Sequence, residues 1–154
     1  MFNSLLSVLI LIPLCGVFLL FFIHEKNAVA VKTTALVFSL ITFFYSIFLW
    51  ILFDHSTARF QFTEYLEWLW SYNLYFFVGV DGISLLFILL TTFLIPLCIL
   101  SSWSSIKKSL KEYYSYFLLM ESLLICVFSS LDLIVFLIFF ESILIPMYLI
   151  IGFW

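Results

Sequence analysis

Two glutamates stand inside long apolar runs of this 154-residue chain, Glu121 in the run 113–128 and Glu141 in the run 132–154. If those runs lie in lipid, an unpaired acidic side chain at mid-helix costs roughly 2.5–3.5 kcal/mol to insert, and a residue kept at that cost normally has a use. The chemistry open to a lone carboxyl there is proton transfer: it holds a proton, passes it on and takes another. Desolvation disfavours the charged form, so a nearby cation decides when such a group lets its proton go. No Lys, Arg or His falls inside any apolar run, and a buried cationic partner for either glutamate has to come from outside these residues. The alternative for each is a permanently neutral carboxyl that hydrogen-bonds a neighbouring helix.

The connection Ser129-Ser130-Leu131-Asp132 joins the two runs and predicts an antiparallel helical hairpin. With Leu131 as pivot, the glutamates lie at equal distances to either side, about 15 Å along each helix at roughly 1.5 Å per residue, and so at similar depth near the bilayer midplane. Pro146, shortly after Glu141, has no backbone N–H and frees the carbonyl of Ser142, loosening the helix beside the glutamate. Asp81 and Asp132 sit where the third and fifth runs start, placed to cap their helices and to face the positive ends of the helix dipoles. Gly79 and Gly82 beside Asp81 permit close backbone approach. Cys15, Cys98 and Cys126 fall in three different runs without a CxxC pairing or a histidine cluster, which points to apolar packing and away from a metal centre. His24 and His55 have no partner in sequence and read as solvated.

The elements that hold these residues follow from composition. With 66% hydrophobic and 10% charged residues, a chain this short would expose most of its apolar side chains if it folded as a soluble domain. Lipid is its solvent, and the fold class is all-α integral membrane. About five runs approach or reach the ~20 residues that cross a hydrocarbon core roughly 30 Å thick, at 3–23, 33–53, 79–103, 113–128 and 132–154. Residues 54–77 form a mixed segment, with Asp54, Arg59, Glu64 and Glu67 among Trp68, Trp70, Tyr72 and Tyr75; such a segment belongs at the membrane surface. Residues 1–154 read as one membrane unit without repeat or linker. Lys26, Lys32, Lys107, Lys108 and Lys111 fall in the first and third connections, against Arg59 alone in the second, so the positive-inside rule puts the N-terminus outside and the C-terminus inside. The first run lacks a basic n-region and is too long for a cleaved signal. No Arg-rich transit segment precedes it, which fits synthesis inside the organelle if the chain is mitochondrial.

Three stretches carry a family resemblance: Gly79-Val80-Asp81-Gly82-Ile83-Ser84-Leu85, Thr91-Thr92-Phe93-Leu94-Ile95-Pro96 and, above all, Phe139-Phe140-Glu141-Ser142-Ile143-Leu144-Ile145-Pro146-Met147. The chain resembles the NADH:ubiquinone oxidoreductase chain 4 family, the antiporter-like subunits of the mitochondrial complex I membrane arm. Asp54-His55-Ser56-Thr57-Ala58-Arg59-Phe60-Gln61-Phe62 resembles its plant and algal branch.

The resemblance implies that Glu141 matches the family's fifth-helix glutamate, a proton relay that pairs with a lysine on a later, broken helix. Glu121 stands where many members have an uncharged residue and is a second, branch-specific relay candidate. The implied enzyme is an H+-translocating NADH:ubiquinone reductase of the mitochondrial inner membrane, with this chain's N-terminus in the intermembrane space and its C-terminus in the matrix. NADH, FMN, iron–sulfur clusters and ubiquinone are expected on other subunits, with no cofactor, metal or redox step on this chain. The implied partners are other membrane-arm subunits, lipids and a separate chain carrying the remaining helices, with the lysine among them; a truncated product is the other expectation, and no nucleic acid is expected. Two alternatives stay open: a subunit of a multisubunit cation/proton antiporter with the same fold and glutamate, and a purely structural membrane-arm subunit.

Overall fold

The computed structural model describes residues 4–72 and 74–154. The expected helix start at Asn3 lies outside the described residues, as do the side chains of Trp68 and Trp70. The order is α1 (Leu5–Phe22), α2 (Ala28–Leu52), β1 (Gln61–Leu69), β2 (Leu74–Val80), α3 (Gly82–Ser101), α4 (Leu110–Ser129) and α5 (Leu133–Phe153). Among the described residues, α1, α2, α3 and α5 are long and apolar enough to cross a membrane. α4 carries Lys111, Glu112 and Glu121, and it packs against all four other helices. Glu112 is its one exposed residue. α4 is thus the hub of the bundle, with Glu121 at its middle buried by its neighbours.

The mixed segment expected as a surface loop over 54–77 folds largely as an antiparallel hairpin, β1 against β2. It absorbs Gly79 and Val80, so α3 begins at Gly82 and not at residue 79. The run Phe76-Phe77-Val78 is as apolar as the helix that follows, and hydropathy alone does not separate strand from helix there. Gly79 earns its place by close approach: a Cβ on it would lie 2.8 Å from Leu131 Cδ1 in the α4–α5 turn. Gly82 meets nothing within 4 Å. α2 begins at Ala28, ahead of the expected residue 33, because the Asn27 side chain accepts the Ala30 N–H at 3.3 Å and caps it.

Glu64 of β1 does what its own strand does not require. Its carboxylate accepts the Leu6 N–H at 2.9 Å, the Ser7 N–H at 3.1 Å and the Ser7 hydroxyl. Ser4, the residue before α1, makes no side-chain cap of its own. An acidic group from the hairpin therefore satisfies the open N–H groups at the positive end of α1. The Leu131 N–H donates to the Phe77 carbonyl at 2.9 Å and ties the α4–α5 turn to β2. At the opposite end, Lys111 Nζ donates to the Phe21 carbonyl at 2.6 Å and Lys32 Nζ to the Trp103 carbonyl. These put positive charge at the C-terminal ends of α1 and α3, where the helix dipole favours it.

Asp81 and Asp132 cap as their positions suggest, accepting the Ser84 N–H at 2.8 Å and the Ile134 N–H at 3.0 Å. The Ser84 backbone N–H, before any other cause, holds the Asp81 carboxyl below its ordinary range. The folded chain therefore binds fewer protons here than the unfolded one. The cap's contribution is complete above the unfolded value of about 3.9 and is lost as pH falls through the lower folded value. The amide of Ser84 is expected to keep its hydrogen-exchange protection from pH 7 to about pH 5 and to lose it in stronger acid, whereas Asp81→Asn, which caps without titrating, keeps it throughout. Equal acid sensitivity in both would contradict the assignment.

Candidate functional site

Glu121 and Glu141 sit at matching positions of the α4–α5 hairpin, the first eight residues before Ser129 and the second eight after Leu133. Each is about 12 Å along its helix from the turn, so the equal depth expected from their spacing follows. Their surroundings differ. Glu121 is fully buried and neither of its carboxyl oxygens has a hydrogen-bond partner among the described residues. Glu141 is exposed. α5 buries only Val135, Ile143 and Pro146 within this chain, and Phe140, Leu144, Ile145 and Tyr148 around Glu141 are all exposed. The site is therefore two half-sites, one facing into the bundle and one facing out of it.

Along α4, Glu121 falls between two apolar clusters. The first gathers Leu6, Leu9, Leu49, Leu85 and Ile125 toward the hairpin end. The second gathers Leu20, Ala35, Ile99, Tyr114 and Leu118 toward the lysine end. The residues buried between them are polar: Ser39, Thr42 and Ser46 of α2, Thr91 and Thr92 of α3, and Glu121 and Ser122 of α4. α1 contributes Pro13 and Gly16 at this level. The Ser46 and Thr92 hydroxyls lie 2.9 Å apart and link α2 to α3, and the Ser122 hydroxyl donates to the Ile10 carbonyl at 3.1 Å, linking α4 to α1. None of the hydroxyl residues was legible as a site, because single Ser and Thr residues in apolar runs are ordinary; only their shared level marks them.

On α5 the Ser142 hydroxyl donates to the Ile138 carbonyl at 2.7 Å. The helix continues through buried Pro146 to Phe153. The Ser142 carbonyl, four residues before that proline, has no N–H to receive along the helix, so a backbone acceptor lies next to Glu141. Cys15 and Cys98 are exposed on the outside of the bundle and Cys126 is buried. His55 is exposed, and its ring packs edge-to-face with Trp50 and Phe53 at centroid separations of 5.4 Å and 5.2 Å.

The known proteins that this chain resembles are longer than it is. The profile described as NADH-ubiquinone oxidoreductase chain 4, amino terminus, matches residues 1–134. The chain belongs to the NADH-ubiquinone oxidoreductase chain 4 family. It is 54% identical to chain 4 of Arabidopsis thaliana over 149 residues, covering 97% of this chain and 30% of that protein. Against chain 4 of Marchantia polymorpha the identity is 50% over 153 residues, 99% of this chain and 31% of the relative. NADH-quinone oxidoreductase subunit M of Rickettsia conorii is 46% identical over 154 residues, 97% of this chain and 31% of the relative. The chain thus spans about 30% of the length of these chain 4 relatives. In structure it is similar to a chain of respiratory complex I from Thermus thermophilus with bound NADH, with a TM-score of 0.74 at 24% identity over 97% of this chain and 28% of that one. That likeness concerns the fold. The chain 4 profile stops before Glu141, but the Arabidopsis alignment covers all but a few residues of this chain.

Proposed function

We propose that this chain forms the N-terminal part of a proton-translocating membrane-arm subunit of respiratory complex I, in which Glu141 carries protons. The observation that supports this reading is the open face of α5, apolar throughout its length with one carboxyl at its middle. Left against lipid, that carboxyl is costly; covered by helices that bring a cation to it, it becomes a group whose proton affinity the partner controls. The helices that cover it are those that complete the chain 4 fold, on the same polypeptide or on another. The other partners are neighbouring membrane-arm subunits and lipid. Other subunits hold the nicotinamide, flavin, iron–sulfur clusters and quinone, and this chain's part in the reaction is proton movement.

The charge distribution supports an orientation as well. All five lysines lie at one end of the bundle, where Lys32 and Lys111 close the ends of α3 and α1 and the Trp154 indole donates to the Lys108 carbonyl at 2.9 Å. Arg59 is the single Lys or Arg at the hairpin end. In the mitochondrial inner membrane this sets the lysine end and the C-terminus in the matrix and the hairpin and N-terminus in the intermembrane space. The reading is tested by proton pumping of Glu141→Gln in vesicles that oxidise NADH.

A further inference from the structure

The polar layer inside the bundle is separate from the open face of α5, and its hydrogen bonds account for every hydroxyl proton it holds. Ser39 donates to the Leu36 carbonyl at 2.8 Å, Thr42 to Phe38 at 2.8 Å and Thr91 to Phe87 at 2.9 Å. Thr92 is within 3.0 Å of the Ile88 carbonyl, and Ser46 is 2.6 Å from that of Phe43. The two protons of Ser46 and Thr92 serve three contacts, these two and the one between the hydroxyls themselves, so neither has a proton to spare, and the Ser122 proton goes to the Ile10 carbonyl. What the layer still offers is lone pairs. Pro96 and Pro13, both buried, add to them, since each removes the N–H that the carbonyl of Thr92 or Leu9 would receive along its helix.

Glu121 stands at this level, fully buried, with both carboxyl oxygens unpartnered among the described residues. Ionised, it needs donors, and the hydroxyls have none left. Neutral, it has one O–H to give and one carbonyl oxygen to satisfy. A buried carboxyl left wholly unpaired is costly in either protonation state. Water resolves both states, because one molecule donates to the carboxyl and accepts from it, and buried waters typically make about three such bonds.

We propose that α1–α4 enclose an internal hydrated proton site, with the Glu121 carboxyl as its acid and the hydroxyl oxygens of α2 and α3 as the collar around its water. In the exchange the Glu121 O–H bond breaks, the carboxylate keeps the electron pair, and the water becomes hydronium, whose donors suit a collar that has only lone pairs to offer. The reverse step returns the proton. The site rests on the fold of this chain and not on Glu141 as a carrier.

Infrared difference spectra of the intact membrane complex, wild type minus Glu121→Gln, recorded in H2O and in D2O, test it. The expected result is a carboxylic acid C=O band that is absent from the variant, shifts to lower frequency within minutes of transfer to D2O, and persists in Glu141→Gln. A missing band, or one unmoved after hours in D2O, overturns the proposal, the latter because it marks a sealed acid that only packs. If Glu121→Gln does not assemble, Glu121→Asp keeps the acid and is expected to displace the same exchangeable band; an unchanged spectrum in that variant likewise overturns the proposal. Pumping by Glu141→Gln is read separately, so either proposal can fail without the other.

Discussion

Glu141→Gln is expected to assemble at wild-type levels and to oxidise NADH while proton uptake per NADH falls about tenfold or more, equivalent to at least about 1.4 kcal/mol in the step that Glu141 serves. Glutamine keeps the shape and the hydrogen-bonding capacity of the side chain and removes only the exchangeable proton. The side chain is exposed on α5, which buries Val135, Ile143 and Pro146 instead, so the fold of the described residues has little to lose. A packing role would predict the opposite pattern, because an amide satisfies a neighbouring helix as well as a neutral carboxyl does. Normal pumping by this variant would remove the proton-carrier reading and leave a structural subunit.

Gly16→Leu is expected to prevent assembly outright, and Gly16→Ala to lower the steady-state amount of the chain several-fold. Even a bare Cβ at Gly16 would lie 2.9 Å from Leu118 Cδ1 and 2.9 Å from Phe38 Cβ and Cγ. The Leu118 methyl can turn away, but the Phe38 Cβ is fixed to the backbone of α2. α1, α2 and α4 meet at this glycine, as small residues allow in membrane helices. Ala favours a helix over Gly by about 1 kcal/mol, while overpacking a close contact costs roughly 1–3 kcal/mol, and with two helices to displace the clash wins. Quantifying the chain in isolated membranes against an unaffected subunit checks this. A wild-type amount of Gly16→Leu would show that the three helices are not held at this spacing.

The helices were legible because long apolar runs have few other solutions, and the α4–α5 hairpin because Ser129-Ser130-Leu131-Asp132 interrupts one such run. The caps at Asp81 and Asp132 were legible for the same local reason: a short acidic side chain directly before a helix has a near-obligatory partner. The β-hairpin was not, because Tyr65, Leu66, Glu67 and Trp68 do not alternate cleanly and because β2 is as apolar as α3, with Asp81 alone between them. Glu64 looked like one more charge at a membrane surface; its bonds to Leu6 and Ser7 join residues that are 58 and 57 positions away in sequence.

The two glutamates show the limit most clearly. Depth was readable from counting along each helix. Facing was not, since α5 is apolar on nearly every side and α4 is buried on nearly every side, so neither carries a stripe that tells inside from outside. Only the arrangement of the other three helices turns Glu121 inward and leaves Glu141 on the open face.

The claim that Glu141 meets a cation from helices outside these residues is tested most directly by zero-length cross-linking of the unmodified complex. A carbodiimide activates a carboxyl, and an amine in contact with it then forms an amide with loss of the urea. Peptide mass spectrometry after this treatment of native membranes is expected to find Glu141 joined to a lysine side chain of a helix that completes the chain 4 fold. Recovery of Glu141 solely as free carboxyl or as the reagent's own acylurea, with no linked lysine, would contradict the account.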